Sequence, residues 1–149
     1  MSAGALVPDG GPRNWPNDIG CTDSIQGELA PEAWFEAAAL ACHPGAIQVG
    51  PRLVKVIEPE KPLFVDIPNA TPKSCFSAYV IVEQSALPLS VALLDDQNRL
   101  QKIGTLRSIR NAIPAAGPLC SLGGTFRKLK FAAEIGHKGT LTLAIFYAN

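Results

Sequence analysis

The sequence predicts an all-β protein: a jelly-roll-like antiparallel β-sandwich with one short N-terminal helix. Three observations predict it. The apolar spacing changes after Gly45 from a helical repeat of about 3.6 residues to a strand-like repeat of about 2. The later runs are short and rich in β-branched or aromatic residues. Clusters of turn-forming residues separate them.

Residues 1–20 are expected to form a flexible or docking arm. Pro8-Asp9-Gly10-Gly11-Pro12 and Trp15-Pro16-Asn17 are loop chemistry. Trp15 is the exception, because an indole in an arm normally packs onto the domain or onto a partner. Residues 21–45 are expected to be a helical segment with its helix over 31–42. Pro31 suits the first helical position and Glu32 suits the positive end of the helix dipole. Trp34, Ala37, Ala38 and Ala41 give one apolar face, and His43-Pro44-Gly45 stops the helix.

Residues 46–149 are expected to be the sandwich. Leu53, Lys55 and Ile57 alternate with Val54 and Val56; Leu63, Val65 and Ile67 with Phe64 and Asp66; and Phe76, Ala78, Val80 and Val82 with Ser77, Tyr79 and Ile81. Leu89, Val91 and Leu93 alternate with Ser90 and Ala92, Leu129 and Phe131 with Lys128 and Lys130, and Leu141, Leu143 and Ile145 with Thr142 and Ala144. Residues 99–113 read as one or two weaker strands. Short strands at this spacing suit a sandwich.

The chain has 149 residues and is 47% hydrophobic, enough for one domain with a real core. Its longest apolar stretches fall short of the ~18–20 residues a membrane helix needs. No signal peptide is visible, so an exported protein is expected to be present here as its mature form with an added Met.

Four cysteines stand at Cys21, Cys42, Cys75 and Cys120. None is in a C-x-x-C pair, which argues against a zinc knuckle or a redox motif. An even count at wide spacing suits two disulfides in an oxidising compartment, against the alternative of four free buried thiols in a cytosolic protein. Four cysteines allow three pairings. Cys21 precedes the helix and Cys42 ends it, so a bond between them would pin the helix to its lead-in.

The formal net charge is zero, but it is unevenly placed. Residues 1–96 carry five Lys/Arg and twelve Asp/Glu, a net −7; residues 97–149 carry eight and one, a net +7. Either strands from the two halves lie side by side and offset each other, or opposite faces join copies head to tail or bind an anionic polymer. Arg107, Arg110, Arg127, Lys128 and Lys130 form the concentrated charge. Lys128 and Lys130 share a strand face, while Arg127 points toward the core or a sheet edge. Nucleic acid is not an expected partner, because the domain is not basic overall and its aromatics do not interleave with its basic residues.

Catalytic chemistry is not expected, and no cofactor or metal site is read from the sequence. His43, at the helix stop, and His137, in a Gly-rich turn, occupy positions that are usually solvated. No G-x-S-x-G is present, and Gly123-Gly124 is not followed by a helix pattern. Asp95-Asp96-Gln97-Asn98, between two apolar runs, reads as a turn.

From Ser74 to Tyr147 the order of features resembles bacterial pre-peptidase C-terminal β-sandwich modules and their cysteine-containing secreted or lipoprotein relatives. Cys75-Phe76 opens a strand, and Leu89-Ser90-Val91-Ala92-Leu93-Leu94-Asp95 follows with Asn98 in the turn. Pro118-Leu119-Cys120, Gly124-Thr125-Phe126-Arg127 and Gly139-Thr140-Leu141-Thr142-Leu143 complete the pattern over about half the chain. The resemblance implies a bond between Cys75 and Cys120. The family's Asp-x-Asp-Leu is replaced here by Ala86-Leu87-Pro88-Leu89, so its cation site is not implied.

Together these readings predict a non-catalytic extracytoplasmic binding or accessory module, periplasmic, outer-surface or secreted, with a protein or cell-surface polymer such as a glycan as partner. The alternative is a structural subunit of an extracellular or virus-like assembly, a homo-oligomer. In either case the expected functional surface is an interface carrying Trp15, Arg127, Lys128 and Lys130.

Overall fold

The computed structural model describes residues 20–67, 75–114, 118–120 and 126–148. Trp15 lies outside the described residues. A 3₁₀ turn over Cys21–Ser24 leads into helix α1, Pro31–Cys42. Pro31 fills the first turn without a side-chain cap before it. The helix ends at Cys42, and three residues on Gly45 takes a positive φ of 87°, a conformation costly for any residue with a Cβ.

Ten strands follow among the described residues. They are β1 (Ile47–Gln48), β2 (Leu53–Ile57), β3 (Leu63–Asp66), β4 (Cys75–Val82), β5 (Leu89–Asp95), β6 (Leu100–Leu106), β7 (Arg110–Ile113), β8 (Leu119–Cys120), β9 (Phe126–Ala133) and β10 (Gly139–Ala148). All pairings are antiparallel and form two sheets. One sheet has the order β3–β9–β5–β6. In the other, β10 and β4 are central, with β1 and β2 beside β10 and β7 and β8 beside β4. The architecture is the expected antiparallel sandwich with one short helix.

The core lies between the sheets. Phe76, Val80 and Leu143 from one sheet meet Leu89, Leu93 and Phe131 from the other, each 0–1% exposed. The two-residue repeat places them there, since alternate side chains of each strand share a face. The stretch 99–113 resolves into β6 and β7, which lie in different sheets.

A second apolar cluster forms where α1 covers part of the outer face of β4 and β10. Trp34, Phe35, Ala38, Ala39 and Cys42 pack on Tyr79, Ala112, Ala144 and Phe146. The buried helix face therefore differs from the expected one: Phe35 and Ala39 are buried, Ala37 is half-buried and Ala41 is exposed. An alanine-rich helix is apolar on several sides, and the aromatic pair Tyr79 and Phe146 decides which side goes down. Trp34 meets Tyr79 edge-on at 6.4 Å, and Tyr79 meets Phe146 at 5.5 Å.

Cys21 is bonded to Cys42, with Cα atoms 5.2 Å apart. Cys75 is bonded to Cys120, its register partner across β4 and β8. These are the pairs that the helix argument and the family resemblance give. The first ties α1 to its lead-in, and the second joins β8 to the end of β4.

Candidate interaction surface

The two outer faces of the sandwich differ. Part of one is covered by α1. The other, the outer face of β3–β9–β5–β6, carries side chains that alternate away from the core. Register sets them in two rows across the strands. Phe64, Lys130, Ala92 and Ile103 make one row, and Asp66, Lys128, Leu94 and Leu100 make the other.

Phe64, Leu100 and Ile103 are 51%, 55% and 54% exposed, while Ala92 and Leu94 beneath them are buried. Together with Asn98 and the two lysines they line an open depression of about 570 Å³. The ammonium groups of Lys128 and Lys130 sit 5.7 and 5.9 Å from the centroid of the Phe64 ring. Both are within cation–π range, so the ring gathers two positive charges at one place. Among the described residues neither lysine is in an ion pair. Asp66, on the edge strand, is the acid in register with Lys128.

The depression ends at the β5–β6 turn, which is held rigidly. Asp95 is buried, and its carboxylate accepts hydrogen bonds from the backbone N–H of Gln97 (2.8 Å) and Arg99 (2.9 Å). It accepts two more from Arg99 Nε and Gln101 Nε2. The Arg99 backbone bond, followed by those of Gln97 and the Arg99 side chain, holds its carboxyl below the usual carboxylate range. Asn98 takes the left-handed conformation at φ 62°, which asparagine tolerates better than most residues.

The basic residues do not form one patch. Lys128 and Lys130 come together as expected of one strand face. Arg127 is exposed, not turned toward the core, because the β9–β5 register shifts by a bulge between Phe126 and Lys128. Arg110 serves the helix lead-in: its Nη2 donates to the Leu29 carbonyl at 2.6 Å, and its guanidinium stacks 5.6 Å from the Trp34 ring.

Phe64, Leu100 and Ile103 are not singled out by sequence reasoning. The signal for Phe64 was present, since it is the outward apolar residue between Leu63 and Val65. Leu100 and Ile103 sit in the stretch where alternation is weakest.

His43 departs from the solvated position expected of it. It is 5% exposed, and its Nδ1 lies 2.8 Å from Ser77 Oγ; that oxygen accepts from Tyr79 OH at 2.8 Å. His137 is half-buried, and its Nδ1 has no hydrogen-bond partner among the described residues. No group of three or more His, Cys, Asp or Glu residues suited to a metal ion occurs among the described residues. No described helix is long and apolar enough to cross a membrane.

No protein-family model matches the chain, and no curated protein matches it. Among solved structures it is similar to a chain of the Bacillus endospore appendages, a family of disulfide-linked pili. That likeness has 9% identity and a TM-score of 0.46, and covers 69% of this chain and 89% of that one. It is also similar to Pseudomonas aeruginosa AlgX, with 11% identity and a TM-score of 0.41, over 84% of this chain but 33% of AlgX. Both scores lie below 0.5, and neither likeness bears on function. No family match supports the resemblance to pre-peptidase C-terminal modules, and the structure shows the antiparallel sandwich alone.

Proposed function

We propose that this chain is a non-catalytic structural subunit of an extracytoplasmic assembly, joined to neighbouring copies through the outer face of β3–β9–β5–β6. The observation that carries this reading is the half-exposed Phe64, Leu100 and Ile103 set around two lysines that are in no ion pair among the described residues. An isolated monomer gains nothing from leaving three large apolar residues in one contiguous patch. The two disulfides support an oxidising compartment. The buried setting of Ser77, at 0% exposure, supports a packing role for the His43–Ser77 pair, since no substrate reaches it.

Sedimentation of the whole chain over a wide concentration range, at low and high salt, tests the proposal. Species larger than a monomer that form at low salt and fall apart at high salt are expected. A chain that stays monomeric under all these conditions, yet binds cell-wall glycan or a surface protein, overturns the proposal in favour of a binding module.

A further inference from the structure

We infer that the basic apolar face of one copy receives the outward face of α1 of the next, so that copies add head to tail. This rests on the assembly reading above and names the two surfaces that meet. On α1, Glu32, Glu36 and Leu40 follow one another at i, i+4 and i+8, a single stripe. The stripe points away from the sheet, because the helix is held down by Trp34, Phe35, Ala38, Ala39 and Cys42. Leu40 is 72% exposed. Glu32 is also largely exposed and pairs at 3.4 Å with Arg52, whereas Glu36 is in no ion pair among the described residues.

Charge and apolar surface both match. Two carboxylates followed by a leucine face two ammonium groups followed by Leu100 and Ile103. The spacing matches as well. Eight residues of helix advance about 12 Å. From β9, which carries the lysines, to β6, which carries Leu100 and Ile103, is two strand spacings, about 10 Å. A helix laid across these strands therefore sets Glu32 beside the two ammonium groups gathered at Phe64, Glu36 one turn nearer β6, and Leu40 over the aliphatic end. Asp66 lies on the far side of the lysines from β6, at the edge strand, and limits how far the acids travel that way.

The two surfaces lie on opposite outer faces of the sandwich. One chain cannot join them to each other, and the contact differs from a two-fold interface in using a different patch on each partner. Such a contact leaves one free surface of each kind at the ends and builds open chains.

Two variants test this by charge exchange. The first is Lys128→Glu with Lys130→Glu, and the second is Glu32→Lys with Glu36→Lys. Each places like charges across the proposed contact and is expected to lower the association constant roughly tenfold to a hundredfold. Mixed in equal amounts they present opposite charges at every contact, and association is expected to return. That return also shows that both variants are folded. If the wild type associates and either variant associates unchanged, the pairing of these faces is wrong while the assembly reading stands. If both variants lose association, give native circular dichroism and fail to restore it on mixing, the pairing is again wrong. A wild type that never associates overturns the assembly reading itself.

Discussion

His43 shows how a single residue is placed by a partner that local sequence does not reveal. It follows the helix and looks like an exposed stop, yet Ser77, 34 residues away, draws it against the sheet. The chain Tyr79–Ser77–His43 is satisfied when Tyr79 donates to Ser77 and Ser77 donates to Nδ1. The imidazole is then neutral, with its proton on Nε2. Burial holds its pKa below the usual 6.5. The unfolded chain thus binds the proton more readily than the folded one, and stability rises with pH in this range. The contribution is fully present above about 6.5 and is lost as pH falls from there toward the lower folded value. Thermal melts between pH 5 and 7.5 are expected to show a decline on the acid side that His43→Gln flattens. An equal slope in wild type and variant would place the titration elsewhere. At the opposite end of the scale, burial pushes the Tyr79 hydroxyl up to about 12. Its contribution is therefore present below about 10 and is lost as pH rises through the folded value.

At the scale of elements, α1 depends on its surroundings. An isolated helix of 12 residues is marginal in water, so packing and the Cys21–Cys42 bond supply most of its stability. The bond closes a separation of 21 residues, and its removal is expected to cost about 3 kcal/mol through the unfolded state. Replacing both cysteines by alanine should lower the denaturation midpoint accordingly while leaving the strand signal in circular dichroism unchanged. A loss of the sheet signal as well would mean that α1 is needed for the sandwich to form. The limits of α1 and the inner faces of the long strands were legible in the sequence, because Pro31, Gly45 and strict alternation act locally. The buried side of α1 was not legible, since alanine at several angles leaves the choice to Tyr79 and Phe146. Strand order was hidden for a related reason. β9 and β10 are neighbours in sequence but sit in different sheets, and β3 pairs with β9 across more than half the sandwich sequence. Nor did alternation reveal the candidate surface, because Leu100 and Ile103 belong to an edge strand with one exposed side and a weak pattern. Lys128 and Lys130 were legible because charge on one face of a strongly alternating strand stands out.

The whole molecule behaves as one unit, because β4 and β10 are shared by both apolar clusters. Their inner side chains build the core and their outer ones receive α1. Its net charge of zero removes the general repulsion that keeps copies apart, while the segregated charge gives them a direction in which to meet. The sequence offers two ways for copies to join, the N-terminal arm with Trp15 and the strand carrying Lys128 and Lys130, and a truncation separates them. Among the described residues, both disulfides and both apolar clusters are built from residues 21–147. A chain lacking residues 1–19 is therefore expected to fold with an unchanged melting temperature. If the faces carry the join, the truncated chain also keeps its salt-dependent association, because Glu32, Glu36, Lys128 and Lys130 all remain. Screening over a Debye length of about 8 Å at physiological ionic strength weakens such exposed charges, so association should fall steadily as salt rises. Sedimentation of the truncated chain beside the full one decides the matter. Loss of association on truncation, with an unchanged melt and with no effect of Lys128→Glu and Lys130→Glu in the full chain, would assign the join to the arm.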